Sequence, residues 1–171
     1  MTQQEIIARL SAAFAEAENT ANTFSETQFF QRPASGKWSA AENVQHLFFS
    51  AKPLVGLFGK PELMLQFGKC TRPGMTYEEI VNFYHHKLKT FTTSGIVNTV
   101  DGLSPTKAAQ IENLYAIHTK FIERAAGLSD IILDEYQIPH PLLGLLTARE
   151  FIYFTHFHTM YHTNTMVKLR E

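Results

Sequence analysis

Apolar side chains recur along this chain at three- and four-residue steps, the period of a helix with one buried face. Ile6, Leu10, Phe14, Ala17 and Ala21 form the first such stripe, with Glu16 and Glu18 off it. A second runs from about Ser39 to Phe58, with Val44, Leu47, Phe48, Ala51, Leu54, Val55 and Phe58 as its inner face. A third and shorter helix is predicted from near Thr76 to around Phe91. A fourth is predicted from Ser104 to about Ala126, carrying Leu114, Ile117, Phe121 and Ala125, and a fifth from Thr147 to about Leu169. No segment shows convincing strand alternation.

The starts are marked by capping boxes, in which a Ser or Thr and the Glu three residues on each satisfy an orphan amide. Thr2 with Glu5, Ser39 with Glu42, Thr76 with Glu79 and Thr147 with Glu150 fit this pattern. The same spacing at Thr23 with Glu26 and at Ser25 with Gln28 reads as a false positive. Ser104 before Pro105 reads as a cap followed by proline at the first helical position. Gly59 and Gly127 fall where the second and fourth helices should stop. The long connection 59–74 contains Pro61, Gly68, Pro73 and Gly74. The connection 127–146 is apolar for a loop, with Ile131, Ile132, Leu133, Leu142 and Leu143, and is expected to pack back onto the body. The pattern predicts an all-α helical bundle with one or two long crossovers.

Length and charge narrow the class. A chain of 171 residues is the size of one domain, spanning 1–171. A net charge of −1 argues against a nucleic-acid partner, which calls for a basic face. There is no long apolar run for a membrane span and no signal-peptide pattern at Met1–Leu10, so the expected location is the cytoplasm. The single cysteine, Cys70, excludes an internal disulfide and fits a reducing compartment. It reads as a bystander, or as a reactive thiol beside Lys69 and Arg72.

The unusual feature is eight histidines. His158 and His162 are four apart, so they share one helical face and can reach one cation. His156 lies about 200° from His158 around the axis and cannot join them. The spacing is H-x-x-x-H with Thr159 where a zinc peptidase carries its Glu, so it suggests a metal without suggesting a peptidase. A third ligand is needed, and His46 is the candidate. It lies about 10 Å along the second helix from Ser39, as far as His162 lies from the expected end at Leu169. Antiparallel packing of these helices would bring the two to one level. Three imidazoles with open positions make a catalytic rather than a closed structural site, suited to Zn, Ni, Fe or Cu. Glu42, one turn before His46, is the candidate catalytic-site carboxylate, placed to orient that imidazole. It also serves as a cap, as Trp38 serves packing. His85 and His86 read as solvated, His118 as bordering the core, and His140 as lining an entrance or doing nothing.

The blocks Trp38-Ser39-x-x-Glu42-x-x-x-His46-Leu47, His140-Pro141-x-x-Gly144-x-Leu146-Thr147 and His158-x-x-x-His162 together resemble the DinB/YfiT-like superfamily in order and spacing. The resemblance implies a four-helix bundle with an up-down-down-up course and one extra short helix, often as a homodimer. It implies a divalent metal, Zn or Ni, held by His46, His158 and His162. It further implies a metal-dependent enzyme, first a thiol-dependent S-transferase using a low-molecular-weight thiol, then a hydrolase. The run from His162 to Met166 lacks the further His and Gln that many members carry there. The alternative is a non-catalytic bundle that binds a small ligand or dimerises, its histidine cluster vestigial.

Overall fold

The computed structural model describes residues 1–90 and 104–170. Four long helices build the body: α1 (Gln3–Asn22), α3 (Ala40–Phe58), α5 (Lys107–Ala126) and α7 (Ala148–Lys168). Between them lie α2 (Glu26–Phe30), α4 (Tyr77–Thr90), α6 (Asp130–Glu135), a 3-10 helix (Pro61–Phe67) and a hairpin of β1 (Gln137–His140) and β2 (Gly144–Thr147).

Hydrogen bonds between helix ends give the course. Gln3 Nε2 donates to Ala125 O at 3.0 Å, and Lys107 Nζ donates to Phe24 O at 2.7 Å, so α1 and α5 are antiparallel. Tyr153 Oη donates to Met1 O at 3.3 Å, setting α7 parallel to α1. Arg124 of α5 donates to Val55 O near the end of α3, so those two helices run together. Ala41 at the start of α3 shares a core cluster with Met166 near the end of α7, so these two are antiparallel. The course is therefore up-down-down-up, and the chain is an all-α bundle. The inner faces supply the core: Ile6, Leu10, Ala17, Val44, Leu114, Phe121 and Ile152 are each at most 1% exposed.

The capping boxes at Thr2, Ser39 and Thr147 are complete, and Thr76 and Glu79 exchange the same two bonds. Gly59 and Gly127 are the C-caps of α3 and α5.

Several details differ from the sequence reading. Ser25 and Gln28 form a genuine capping box on α2; only the match at Thr23 is false, because Thr23 closes α1. The cap of α5 is Thr106, whose hydroxyl accepts from Ala109 N–H, and the Ser104 carbonyl instead accepts from Gln110 Nε2. There is more than one extra helix, because α2, α6 and the 3-10 turn are too short to show a period. The expected end of the third helix at Phe91 lies outside the described residues. The hairpin carries no readable alternation, since its strands are four residues each and β1 contains Pro139. Gly144 sits at φ 76, where a side chain would be strained, and so allows the return at its tip. The connection does pack inward: Leu133, Ile138, Leu142, Leu143 and Leu146 join the core, although Ile131 stays 63% exposed. Among the described residues no helix is long and apolar enough to cross a membrane.

Candidate metal centre

Antiparallel packing of α3 and α7 brings His46, His158 and His162 together. His158 Nε2 lies 3.0 Å from His46 Nε2 and 3.2 Å from His162 Nε2. One nitrogen of each ring falls within 4.8 Å of the others. Nitrogens bound 2.0–2.1 Å from one ion lie about 2.9 Å apart at a right angle and about 3.3 Å apart at the tetrahedral angle. Both separations from His158 fall in that interval, so the donor set fits a divalent ion that favours imidazole. Three ligands leave positions open for a water or a thiol.

The protonation states suit the same role. Burial pushes the His46 imidazole down to about 4. Burial, and then the proximity of His46, takes His162 down to about 3. His158 is also held well below the usual imidazole value, by burial first and then by His162, His46 and His140. All three rings are therefore neutral at pH 7, as metal coordination requires.

One tautomer is fixed by a chain of hydrogen bonds. Asn43 Nδ2 donates to Ser39 O at 2.8 Å, which identifies Oδ1 as the outward acceptor of that amide. His162 Nδ1 lies 2.7 Å from this Oδ1 and must carry the hydrogen, which leaves the Nε2 lone pair facing the other two histidines. Asn43 was not singled out in the sequence. A signal was there: it sits four residues before Leu47, a polar side chain on the apolar stripe of α3. Replacing Asn43 with Ala is expected to weaken metal binding about 10- to 100-fold with the helix content unchanged, while Asn43→Asp keeps most of the affinity. Competition titration with a chromophoric chelator measures both.

Glu42 is placed differently from the sequence expectation. Both its oxygens accept from Arg32 Nε, at 2.9 and 2.8 Å, and Oε2 also accepts from Ser39 N–H. Burial alone would raise this carboxyl, but Arg32 and the Ser39 groups outweigh it and hold it below its usual range. Glu42 thus anchors the start of α3, and the side chain that orients a cluster imidazole is its neighbour Asn43.

Aromatic rings close the cluster. Trp38 stacks on His162 at 5.9 Å between centroids and lies 5.0 Å from His46. Phe154 stacks on His158 at 5.0 Å. His46 and His158 also form part of the wall of a cavity of roughly 430 Å³. The other histidines separate by place. His85 and His86 are exposed on α4, and His156 turns away to Tyr77, whose hydroxyl lies 2.9 Å from its Nδ1. His118 and His140 line the cavity. Cys70 is half-buried in the loop after the 3-10 helix, its Sγ 3.4 Å from Arg72 O.

The family model of the DinB superfamily matches residues 9–166 of the chain. No curated protein and no solved structure matches it.

Proposed function

The chain belongs to the DinB superfamily, and from that premise we propose that it is a divalent-metal-dependent enzyme acting on a small molecule. His46, His158 and His162 hold the ion, which is Zn or Ni. The observation that carries the reading is the convergence of the three Nε2 atoms, with the His162 lone pair fixed by Asn43. An ion there would act as a Lewis acid, lowering the pKa of a thiol or water so that its anion forms near neutral pH.

The favoured reaction is transfer of a low-molecular-weight thiol to an electrophilic carbon. The new carbon–sulfur bond forms, the bond to the leaving group breaks, and the thiol proton passes to solvent. Water in place of the thiol gives hydrolysis. The protein's part is to keep the imidazoles neutral by burial, to hold His162 in one tautomer, and to offer the substrate a largely apolar cavity beside the cluster.

Two measurements test this. Elemental analysis of the purified protein, followed by titration with Zn and Ni, should give about one ion per chain. Loss of free thiol in the presence of alkyl halide, epoxide and activated-ester electrophiles should then require that ion and stop with a chelator. A protein that takes up neither metal sinks the proposal. A loaded protein that consumes ester but no thiol selects hydrolysis.

A further inference from the structure

We propose that the cavity beside the cluster takes a neutral, largely apolar small molecule, and that His118 and His140 recognise it with opposite polarity, His118 accepting a hydrogen bond and His140 donating one. The inference deepens the reading of the cluster as a catalytic centre, since the ligand so held would be its substrate, but the binding itself does not depend on an ion.

The wall of the cavity sets the class. It is built from Phe, Leu, Pro and Ile side chains, and none of its lining residues is Asp, Glu, Lys or Arg. A carboxylate or ammonium entering it would lose its water with no countercharge in return. Beyond His46 and His158 of the cluster, the wall's polar groups are the hydroxyls of Ser50 and Tyr84, those of Thr155 and Thr159, which donate to backbone carbonyls, and the two histidines that the metal reading leaves unused.

Their tautomers follow from geometry. His118, 3% exposed and stacked on Phe14 at 3.6 Å, places Nδ1 2.7 Å from Glu18 Oε1. A carboxylate only accepts, so the hydrogen sits on Nδ1. The neutral tautomer that Glu18 selects presents a lone pair at Nε2, and burial, partly offset by Glu18, lowers this imidazole in favour of the neutral form. His140 is the reverse. The N–H groups of Leu142 and Leu143 both donate to its Nδ1 at 3.1 Å, so Nδ1 carries the lone pair and Nε2 carries the hydrogen. Its ring is wedged against Phe154 at 4.3 Å and Phe151 at 5.3 Å, which fixes its direction. Among the described residues, Gln110 Oε1 is the one buried side-chain N or O atom without a hydrogen-bond partner. The hydrogen bonds of His118 and His140 are made at Nδ1, and neither Nε2 is among such buried, unmet atoms, so each reaches open space; the cavity is the space both residues line. One bonded acceptor and one bonded donor therefore face an apolar chamber. Each is held from behind by a partner that forbids the other tautomer.

Calorimetric titration of the full chain with three para-substituted benzenes of similar size tests this. In the wild type, 4-ethylphenol (a donor) and 4-methylacetophenone (an acceptor) should bind at least about tenfold tighter than 4-methylbenzoate. His118→Phe should weaken 4-ethylphenol about fivefold and leave the ketone unchanged. His140→Phe should weaken the ketone by about the same factor. His140→Gln, whose amide can accept from the turn and donate to the cavity, should restore it. Glu18→Gln keeps the His118 ring while allowing the hydrogen to move to Nε2, and should shift preference from the phenol toward the ketone. Circular dichroism checks each fold, and if a Phe variant is unfolded the Gln variants decide. Tighter binding of the benzoate, no binding of either neutral probe, or equal weakening of both neutral probes by each variant overturns the proposal. Metal content is measured on the same samples. A metal-free protein that keeps this ranking preserves the cavity assignment and removes the metal reading.

Discussion

Replacing His158 with Ala is expected to lower metal affinity more than about 100-fold and leave the bundle folded. His158 is the common neighbour in the cluster, 3.0 Å from one ring nitrogen and 3.2 Å from the other. Without it, His46 and His162 remain as a two-ligand site open to water. Loss of an outer hydrogen-bond partner alone costs about 10- to 100-fold, and loss of a ligand must exceed that. The ring does not cap a helix or pair with a charge, so its removal leaves no buried ion behind. His156→Ala, two residues away on the same helix but facing Tyr77, should keep the metal in full. Elemental analysis of the two variants after identical loading, beside far-UV circular dichroism, makes the comparison. Equal metal content in both would remove His158 from the ligand set.

The largest stability effect is expected at Glu150. This carboxylate is 1% exposed and receives Arg72 on both oxygens at 2.6 Å, the Met75 amide at 2.7 Å and the Thr147 amide at 2.8 Å. It therefore joins the N-terminus of α7 to the loop after the 3-10 helix. Glu150→Ala removes the acceptor common to all of these and leaves the buried Thr147 amide and the part-buried Met75 amide unmet and Arg72 without its carboxylate. The cost is about 3 kcal/mol, or a fall in Tm of about 10 °C in a domain of this size. Thermal denaturation followed at 222 nm measures it. An unchanged Tm would show that water replaces these bonds.

The same group gives a pH dependence. Burial works to raise the Glu150 carboxyl, but Arg72 and the two amides outweigh it and hold it below the usual carboxylate range. A depressed folded-state value means the folded protein releases this proton more readily than the unfolded chain. Its contribution is complete above the unfolded value of about 4.3 and is lost as the pH falls through that value toward the folded one. Glu150→Gln should flatten this acid limb of the stability curve, as urea titrations between about pH 3 and 7 would read.

Much of the scaffold was legible because its causes are local. The stripe of Ile6, Leu10, Phe14, Ala17 and Ala21 is a matter of 3.6 residues per turn, and these positions are the buried face of α1. The caps at Thr2, Ser39 and Thr147 involve groups three residues apart and need no tertiary contact. The short elements were missed for the same reason: five residues of α2 hold too little of a period to read, and the box at Ser25 looks like its false neighbour at Thr23.

The sequence by itself determined the helical class, the pairing of His158 with His162 on one face and the distance of His46 along its own helix. The regular helix makes each of these a consequence of spacing. Only the tertiary structure decided which atom of each ring is free. The hydrogen on His162 is placed by Asn43, 119 residues away in the chain, and that on His118 by Glu18, 100 residues away. His140 is settled by a turn in a hairpin too short to read. A tautomer depends on what lies across a hydrogen bond at 3 Å, and no periodicity along the chain carries that information.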